Sequence, residues 1–112
     1  NRLDLTSYRR AMDTMVIVSG SVTAHPDRVH EVEKLCLDHV RRSRTEPGCL
    51  LHSVHRDVEN PHRFVFLEHW RSRDDLNRHF AVPESGGFIE ALREHTVDLA
   101  PIEIYDVASP PA

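Results

Sequence analysis

The chain lacks several features that would assign it to a specialised class of protein. Its 112 residues contain no apolar run near the roughly 20 residues that a membrane-spanning helix requires, and the first 14 residues lack the apolar centre of a signal peptide. The only two cysteines, Cys36 and Cys49, do not have CxxC spacing. We therefore expect a soluble cytoplasmic protein without membrane contact, in which both thiols act as small buried hydrophobic groups.

The distribution of charged residues favours neither a strongly negative nor a strongly positive binding partner. The formal net charge is −4, and acidic and basic residues are interspersed, so no basic stripe is present to bind a phosphate backbone. We expect no nucleic-acid partner. Nine histidines invite a metal hypothesis, but the chain has no HExxH motif, no paired cysteine set and no clustered spacing of carboxylates and histidines. The sequence therefore predicts neither a metal nor another cofactor.

The length fits one domain with one hydrophobic core. Residues 1–14 are polar and without clear periodicity, and they precede the second methionine of the chain, Met15. They are expected to form a poorly ordered extension. The folded domain is expected to span residues 15–108, and residues 109–112 are expected to form a tail.

Hydrophobic periodicity predicts the element order βαββαβ. Strands are expected over 15–24, 49–57, 62–71 and 102–107, one helix from Pro26 to Arg44, and a second helix in two pieces, 74–80 and 85–97. Ser72 and Asp75 resemble a capping box at the start of the second helix. The glycines within 84–87 predict a loose link between its two pieces, able to widen a pocket mouth or form a lid.

This order predicts a ferredoxin-like α+β fold, an antiparallel sheet with helices on one face. The third strand would be apolar on both faces, with Phe64, Phe66, Glu68 and Trp70 on one side and Val65 and Leu67 on the other. The helices can cover only one of these faces. A homodimer that covers the second face is therefore expected.

Polar groups converge on the apolar wall of the third strand. Glu68 and Trp70 share a face with the phenylalanines, and His79 lies on the apolar side of the predicted helix 74–80, beside Leu76 and Phe80. Gly20 in the first strand leaves room for a group to approach closely. Such an arrangement predicts a pocket for a small molecule.

Three stretches carry a resemblance to a known family: PGCLLHSVHRD, RFVFLEHW, and LNRHF followed by AVP and a phenylalanine. They resemble the antibiotic biosynthesis monooxygenase (ABM) family over about residues 15–107. The resemblance implies a dimeric α/β barrel made by pairing two sheets. It also implies a cofactor-independent monooxygenase that oxidises a small phenolic, quinol or polyketide-like aromatic substrate with O₂.

Two other functions stay open. One is a non-catalytic dimeric protein that binds small molecules or is associated with stress. The other is a haem-degrading monooxygenase, because that branch of the family resembles this chain at Trp70 and His79. The branch has an asparagine where this chain has Gly20, however, and its spacing between the two matching residues is one longer, so haem degradation is the minor alternative.

The resemblance also implies roles for individual residues. His79 matches the histidine of the family's L-x-x-H-L pattern and is expected to deprotonate the substrate with help from Glu68. Trp70 is expected to form the wall against which a flat ring lies, in a site kept apolar by Phe66, Phe80 and Phe88.

Each role has a structural alternative. His79 could be a hydrogen-bonded histidine at a subunit interface, and Trp70 a large core aromatic. Glu68 could form an ion pair with Arg56 on the neighbouring strand. His52 is expected to join the pocket only if its strand face is the dimer face, and it cannot share a metal ion with His55, because the two point to opposite faces.

Overall fold

The structure is a computed structural model that describes residues 15–107, so the predicted extension and the predicted tail lie outside the described residues. It contains five strands and three helices. The strands are β1 (Val16–Ala24), β2 (Cys49–Asp57), β3 (Asn60–Trp70), β4 (Thr96–Leu99) and β5 (Glu103–Asp106); the helices are α1 (Val29–Ser43), α2 (Arg73–Ala81) and α3 (Pro83–His95). No helix among these residues is long and apolar enough to cross a membrane.

The strands form one antiparallel sheet in the order β2-β3-β1, and both β4 and β5 pair with the free side of β1. β4 pairs with the end of β1 near Val22, and β5 pairs with the start of β1 near Val16. The predicted last strand, 102–107, corresponds to β5, whereas β4 is an additional short strand that begins at Thr96, within the stretch 85–97 that was predicted as helix. Pro101 lies between the two strands, where it interrupts the pairing with β1. The predicted ferredoxin-like α+β fold is confirmed, with this one addition.

Alternation along β3 separates the two faces of the sheet. Phe64, Phe66, Glu68 and Trp70 are all buried, whereas Val65, Leu67 and His69 between them are only partly buried. The buried face packs against the apolar sides of the helices, including Val32 and Cys36 of α1 and Leu92 of α3. The prediction that Glu68 and Trp70 share the phenylalanine face is therefore confirmed.

Two local predictions differ from the structure. α1 begins at Val29 rather than at Pro26, because residues 26–27 form a turn in which the Arg28 N–H donates to the His25 carbonyl at 2.9 Å. The glycine-containing segment 84–87 is not a loose link, since it lies inside α3. The break between α2 and α3 falls instead at Val82, whose extended backbone precedes Pro83 at the first turn of α3.

The predicted cap of α2 is confirmed, and it joins this helix to the turn before β2. The Asp75 N–H donates to the Ser72 hydroxyl at 3.2 Å, and the buried Asp75 carboxylate accepts from Arg71, Ser72 and Arg78. Gly48 packs against that carboxylate, with a positive φ of 79°. A glycine is required there both by the left-handed backbone and by the lack of space for a side chain.

Gly48→Ala should destabilise the fold strongly. A Cβ at this position would lie 2.3 Å from the Asp75 carboxyl group, and the left-handed backbone adds its own cost. We expect the free energy of unfolding to fall by at least about 2 kcal/mol in urea titrations. Gly87→Ala is the matched control: it lies in α3 with open space around it and should raise stability by about 0.5–1 kcal/mol. Equal stability of the two variants would contradict this account of Gly48.

Candidate functional site

A cavity of about 440 Å³ lies between the buried face of the sheet and the helices. Its walls come from β1, β3, all three helices, the end of β4 and the segment that follows β4. The lining residues are Gly20, Ser21, Val22, His39, Phe66, Glu68, His79, Phe80, Ser85, Phe88, Ile89, Leu92, Arg93, Leu99, Ala100 and Ile102. Most of this surface is apolar, and the ionisable groups gather at the end formed by β3, α1 and α2.

Three buried histidines meet at that end, and we call His39, His52 and His79 the histidine cluster. One nitrogen of each ring lies within 4.8 Å of the others, and the ring centres are 5.3–5.6 Å apart. Each comes from a different element: α1, β2 and α2. The cluster therefore exists only because the fold brings three distant parts of the chain together.

His39 was missed by the sequence interpretation, although the sequence contained a signal for it. Buried positions of α1 recur as Val32, Cys36, His39, Val40 and Ser43, which is the spacing of the apolar side of a helix. An imidazole within such a pattern faces the core. The signal predicts burial, but it does not predict which other groups the imidazole will meet.

The His79 imidazole is held by a charged pair from the end of α1. Its Nδ1 lies 2.6 Å from Oε1 of Glu46, and the same carboxylate also pairs with Arg42. Since a carboxylate can only accept, His79 donates from Nδ1 and leaves the lone pair of a neutral ring on Nε2. The Ser85 hydroxyl donates to the His79 carbonyl at 2.8 Å, which joins α3 to the same position.

Arg42 also contacts His39, whose ring stacks on Phe88 with a centre separation of 4.0 Å. The Arg42 guanidinium donates to Nδ1 of His39 at 3.0 Å, so the neutral His39 ring carries its hydrogen on Nε2. Burial, together with the neighbouring His52, His79 and Arg42, lowers the pKa of His39 from its ordinary value of 6.5 to about 3. His39 is consequently neutral at physiological pH.

Glu68 lies on the opposite side of the cluster. The Trp70 indole N–H donates to Glu68 Oε1 at 2.8 Å, and His52 Nε2 lies 3.4 Å from the same oxygen without the alignment of a hydrogen bond. Burial alone would raise the pKa of Glu68, but the contacts from His52 and Trp70 and the nearby His79 outweigh it and lower the pKa. Glu68 is therefore a buried carboxylate.

The predicted ion pair between Glu68 and Arg56 is wrong. Arg56 instead pairs with Glu33 and lies over the Phe64 ring, 4.6 Å from its centre. The register explains this, because β2 places His52 opposite Glu68 and Arg56 opposite Phe64, four residues further along the strand. An imidazole, not a guanidinium, is thus the cross-strand neighbour of Glu68.

A family model, that of the antibiotic biosynthesis monooxygenases, matches residues 15–91. The chain belongs to this ABM family. It is 32% identical over 99 residues to the uncharacterized protein sll1783 of Synechocystis sp., an alignment that covers 88% of this chain and 67% of that protein.

Solved structures agree with the family assignment. A candidate antibiotic biosynthesis monooxygenase from Deinococcus radiodurans superposes with a TM-score of 0.81 at 28% identity, covering 87% of this chain and 96% of the other. PA3566 from Pseudomonas aeruginosa superposes with a TM-score of 0.76 at 26% identity, and the superposition covers 85% of this chain and 95% of PA3566. A conserved protein from Methanosarcina mazei Go1 superposes with a TM-score of 0.80 at 24% identity, covering 86% of this chain and 95% of the other. At this identity the likeness supports only a shared fold. ABM membership and these neighbours support a general monooxygenase-like function.

The structure brings most of the predicted ABM site residues to the cavity. Those that line it are Gly20, Phe66, Glu68, His79, Phe80 and Phe88. Trp70 does not line the cavity, and its position fits the structural alternative of a large core aromatic. The Trp70 side chain is fully buried and packs with Val16, Val18 and Leu76, because its position at the end of β3 lies beneath α2.

His52 does not line the cavity itself but belongs to the histidine cluster at its end. It was expected in the pocket only if its strand face were the dimer face, whereas the structure shows that helices cover this face. The His52 ring points to the helix-covered side of the sheet, where it lies behind His39 and His79 and is fully buried. Neither of its ring nitrogens has a hydrogen-bond partner within residues 15–107.

Replacing His39 by glutamine should flatten the pH dependence of stability. The pKa is about 3 in the folded protein against an ordinary 6.5, so the unfolded chain binds the extra proton between these values. The contribution of His39 is therefore complete above pH 6.5 and is lost as pH falls towards 3, with a slope of up to about 1.4 kcal/mol per pH unit.

Urea unfolding of wild-type protein and His39→Gln between pH 4.5 and 8 measures this slope. The difference in unfolding free energy between the two proteins should change with pH below 6.5 and stay constant above 7.5. A difference that is constant over the whole range would mean that His39 is not held neutral in the fold.

Proposed function

We propose that this ABM protein is a cofactor-independent monooxygenase that oxidises a small phenolic, quinol or polyketide-like aromatic compound with O₂, and that His79 is its base. The observation that carries the proposal is the buried His79 ring, bound at Nδ1 by Glu46 and bordering an apolar cavity. An imidazole so oriented has its lone pair on Nε2. It is suited to accept a proton from a substrate hydroxyl near neutral pH.

The steps of the reaction need no external reductant. His79 takes the proton of a substrate hydroxyl, and the Glu46 carboxylate stabilises the imidazolium that forms. The resulting electron-rich anion reacts with O₂. One oxygen atom is bonded to a ring carbon, and the other leaves as water with two hydrogens of the substrate, so the substrate supplies all the electrons and becomes a quinone.

The cavity suits such a substrate in size and polarity. Its volume of about 440 Å³ falls within the range of about 300–1,000 Å³ of small-molecule sites. Phe66 and Phe88 meet at nearly right angles with ring centres 5.9 Å apart, and Phe80 borders the cavity from α2. These rings would exclude water from the anion and leave room for O₂.

Glu68 is the second carboxylate in the proposal. It lines the cavity and is fixed by the Trp70 indole at 2.8 Å, so its charge cannot move away from the cluster. In this position it favours positive charge on the imidazoles during proton transfer. Glu46 contacts His79 directly, whereas Glu68 acts across a longer distance.

His79→Ala should lower turnover of a hydroquinone substrate by about 100-fold or more, because a positioned general base typically contributes that much. Oxygen uptake and quinone absorbance give the rate. His55→Ala, an exposed change on β2, is the control and should retain the wild-type rate. Wild-type rates in His79→Ala would remove the histidine from the mechanism. Quenching of Trp70 by phenols without oxygen uptake would favour the alternative, a binding protein.

We also propose that the chain is a homodimer that pairs the outer faces of two sheets. Leu51 is 37% exposed and Tyr105 51% exposed on this face, and Ile17, Val65 and Leu67 are only partly buried. The register places Leu67 at the centre, between Ser53 of β2 and Ser19 of β1. A partly apolar face that no helix of residues 15–107 covers favours association.

Leu67→Asp should convert the dimer to a monomer, because it places a carboxylate at the centre of the proposed interface. Sedimentation velocity at micromolar concentration measures the change. Val58→Asp is the matched control, since Val58 is 98% exposed in the β2–β3 turn and away from the sheet face. A wild-type monomer would refute the dimer. It would leave the cavity intact, because every lining residue belongs to one chain.

A further inference from the structure

We propose that the histidine cluster is a binding site for a borderline divalent transition metal, with Zn²⁺ as the reference ion. The site lies at the inner end of the cavity. Three imidazoles from three elements supply the ligands, and the cavity supplies an open fourth position, which is the arrangement of zinc sites that bind water or substrate. The inference replaces the expectation of no metal, and it does not rest on the proposed function.

The separation of the rings supports this assignment. A zinc ion about 2.1 Å from each nitrogen lies roughly 3.2 Å from each ring centre, so tetrahedral geometry places the ring centres roughly 5.2 Å apart. The observed separations are 5.3 Å for His39–His52, 5.3 Å for His39–His79 and 5.6 Å for His52–His79. One nitrogen of each ring also lies within 4.8 Å of the other two.

One of the three rings has the outer carboxylate partner that metal-binding histidines commonly have, and a second ring has a carboxylate close to it. Glu46 accepts from Nδ1 of His79, and Glu68 lies 3.4 Å from Nε2 of His52. A carboxylate on one ring nitrogen orients the ring and makes the other nitrogen a better ligand. The remaining nitrogens are Nε2 of His79 and Nδ1 of His52.

His52 gives an independent argument for a ligand. Its side chain is fully buried, and Nδ1 has no hydrogen-bond partner among the residues that the structure describes. A buried polar atom without a partner is destabilising, because it has lost its hydrogen bonds to water and gained none in the protein. A metal ion within the cluster would bind this lone pair.

The charges near the cluster also favour a cation. Two carboxylates, those of Glu46 and Glu68, approach the rings, and one guanidinium, that of Arg42, opposes them. Metal binding must displace the Arg42 side chain from His39. Arg42 donates to Nδ1 of His39, so the hydrogen of this ring lies on its Nε2, the nitrogen that the metal would need. On metal binding, His39 must release Arg42 and move its hydrogen to Nδ1. Arg42 would keep its pair with Glu46.

Metal and base chemistry exclude each other at His79. A metal bound through Nε2 occupies the lone pair that would accept the substrate proton. The metal-free protein is therefore the form with the base. One equivalent of Zn²⁺ should abolish any oxygen uptake that depends on His79, and this effect is separate from the binding measurement below.

Titration of chelator-treated protein with Co²⁺ tests the site by a readout independent of activity. We expect one Co²⁺ per chain, with the intense visible absorption of tetrahedral cobalt, displaced by Zn²⁺. His52→Gln and His79→Gln should each weaken binding by more than about 100-fold, and Glu46→Gln by about 10–100-fold. His55→Gln, on the same strand as His52 but exposed, should bind as wild type does.

Arg42→Gln is the informative fourth variant. A glutamine removes the competing positive charge and can accept a hydrogen from Nδ1 of His39, so Co²⁺ should bind more tightly than to wild type. Circular dichroism confirms folding of each variant, and two separate ligand substitutions guard against one that fails to fold. An absorption spectrum typical of octahedral cobalt, equal loss in His55→Gln, or weaker binding in Arg42→Gln would overturn the proposal.

Discussion

The alternation of β3 is the constraint on which the rest of the structure depends. A strand presents successive side chains to opposite faces, so Phe64, Phe66 and Glu68 must all lie under the helices once one of them does. Glu68 is thereby buried in an apolar layer. Burial of a carboxylate is unfavourable without partners, and the Trp70 indole and the His52 imidazole meet that need. The polar end of the cavity follows from this one requirement.

A second set of interactions joins the ends of the helices to the same place. Glu46 follows α1 and pairs with both Arg42 and His79, so the end of α1 and the last turn of α2 are held together by one carboxylate. Ser85 extends the connection to α3 by donating to the His79 carbonyl. In a buried setting such networks are strong when complete and costly when one partner is removed. The position of His79 is therefore well defined.

The same geometry supports two kinds of chemistry in one pocket. A neutral imidazole with a carboxylate on Nδ1 is equally prepared to accept a proton or to bind a metal, because both use the lone pair on Nε2. Arg42 affects the balance between them through its contact with His39. In the proposed metal site, His39 supplies the third ligand beside His52 and His79.

Much of this protein could be predicted from its sequence, because the signals are local. Period-two alternation identified β1, β2 and β3, the Ser72 cap identified the start of α2, and the ABM motifs identified the fold. They also pointed to Glu68 and His79, which the structure brings to the cavity. Pairings across the fold carry no such signal. The meeting of His39, His52 and His79, the choice of Glu46 over Glu68 as the partner of His79, and the place of Trp70 behind the cavity depend on strand register and helix packing. These were decided by tertiary structure alone, since residues that are far apart in sequence become neighbours only when the helices pack on the sheet.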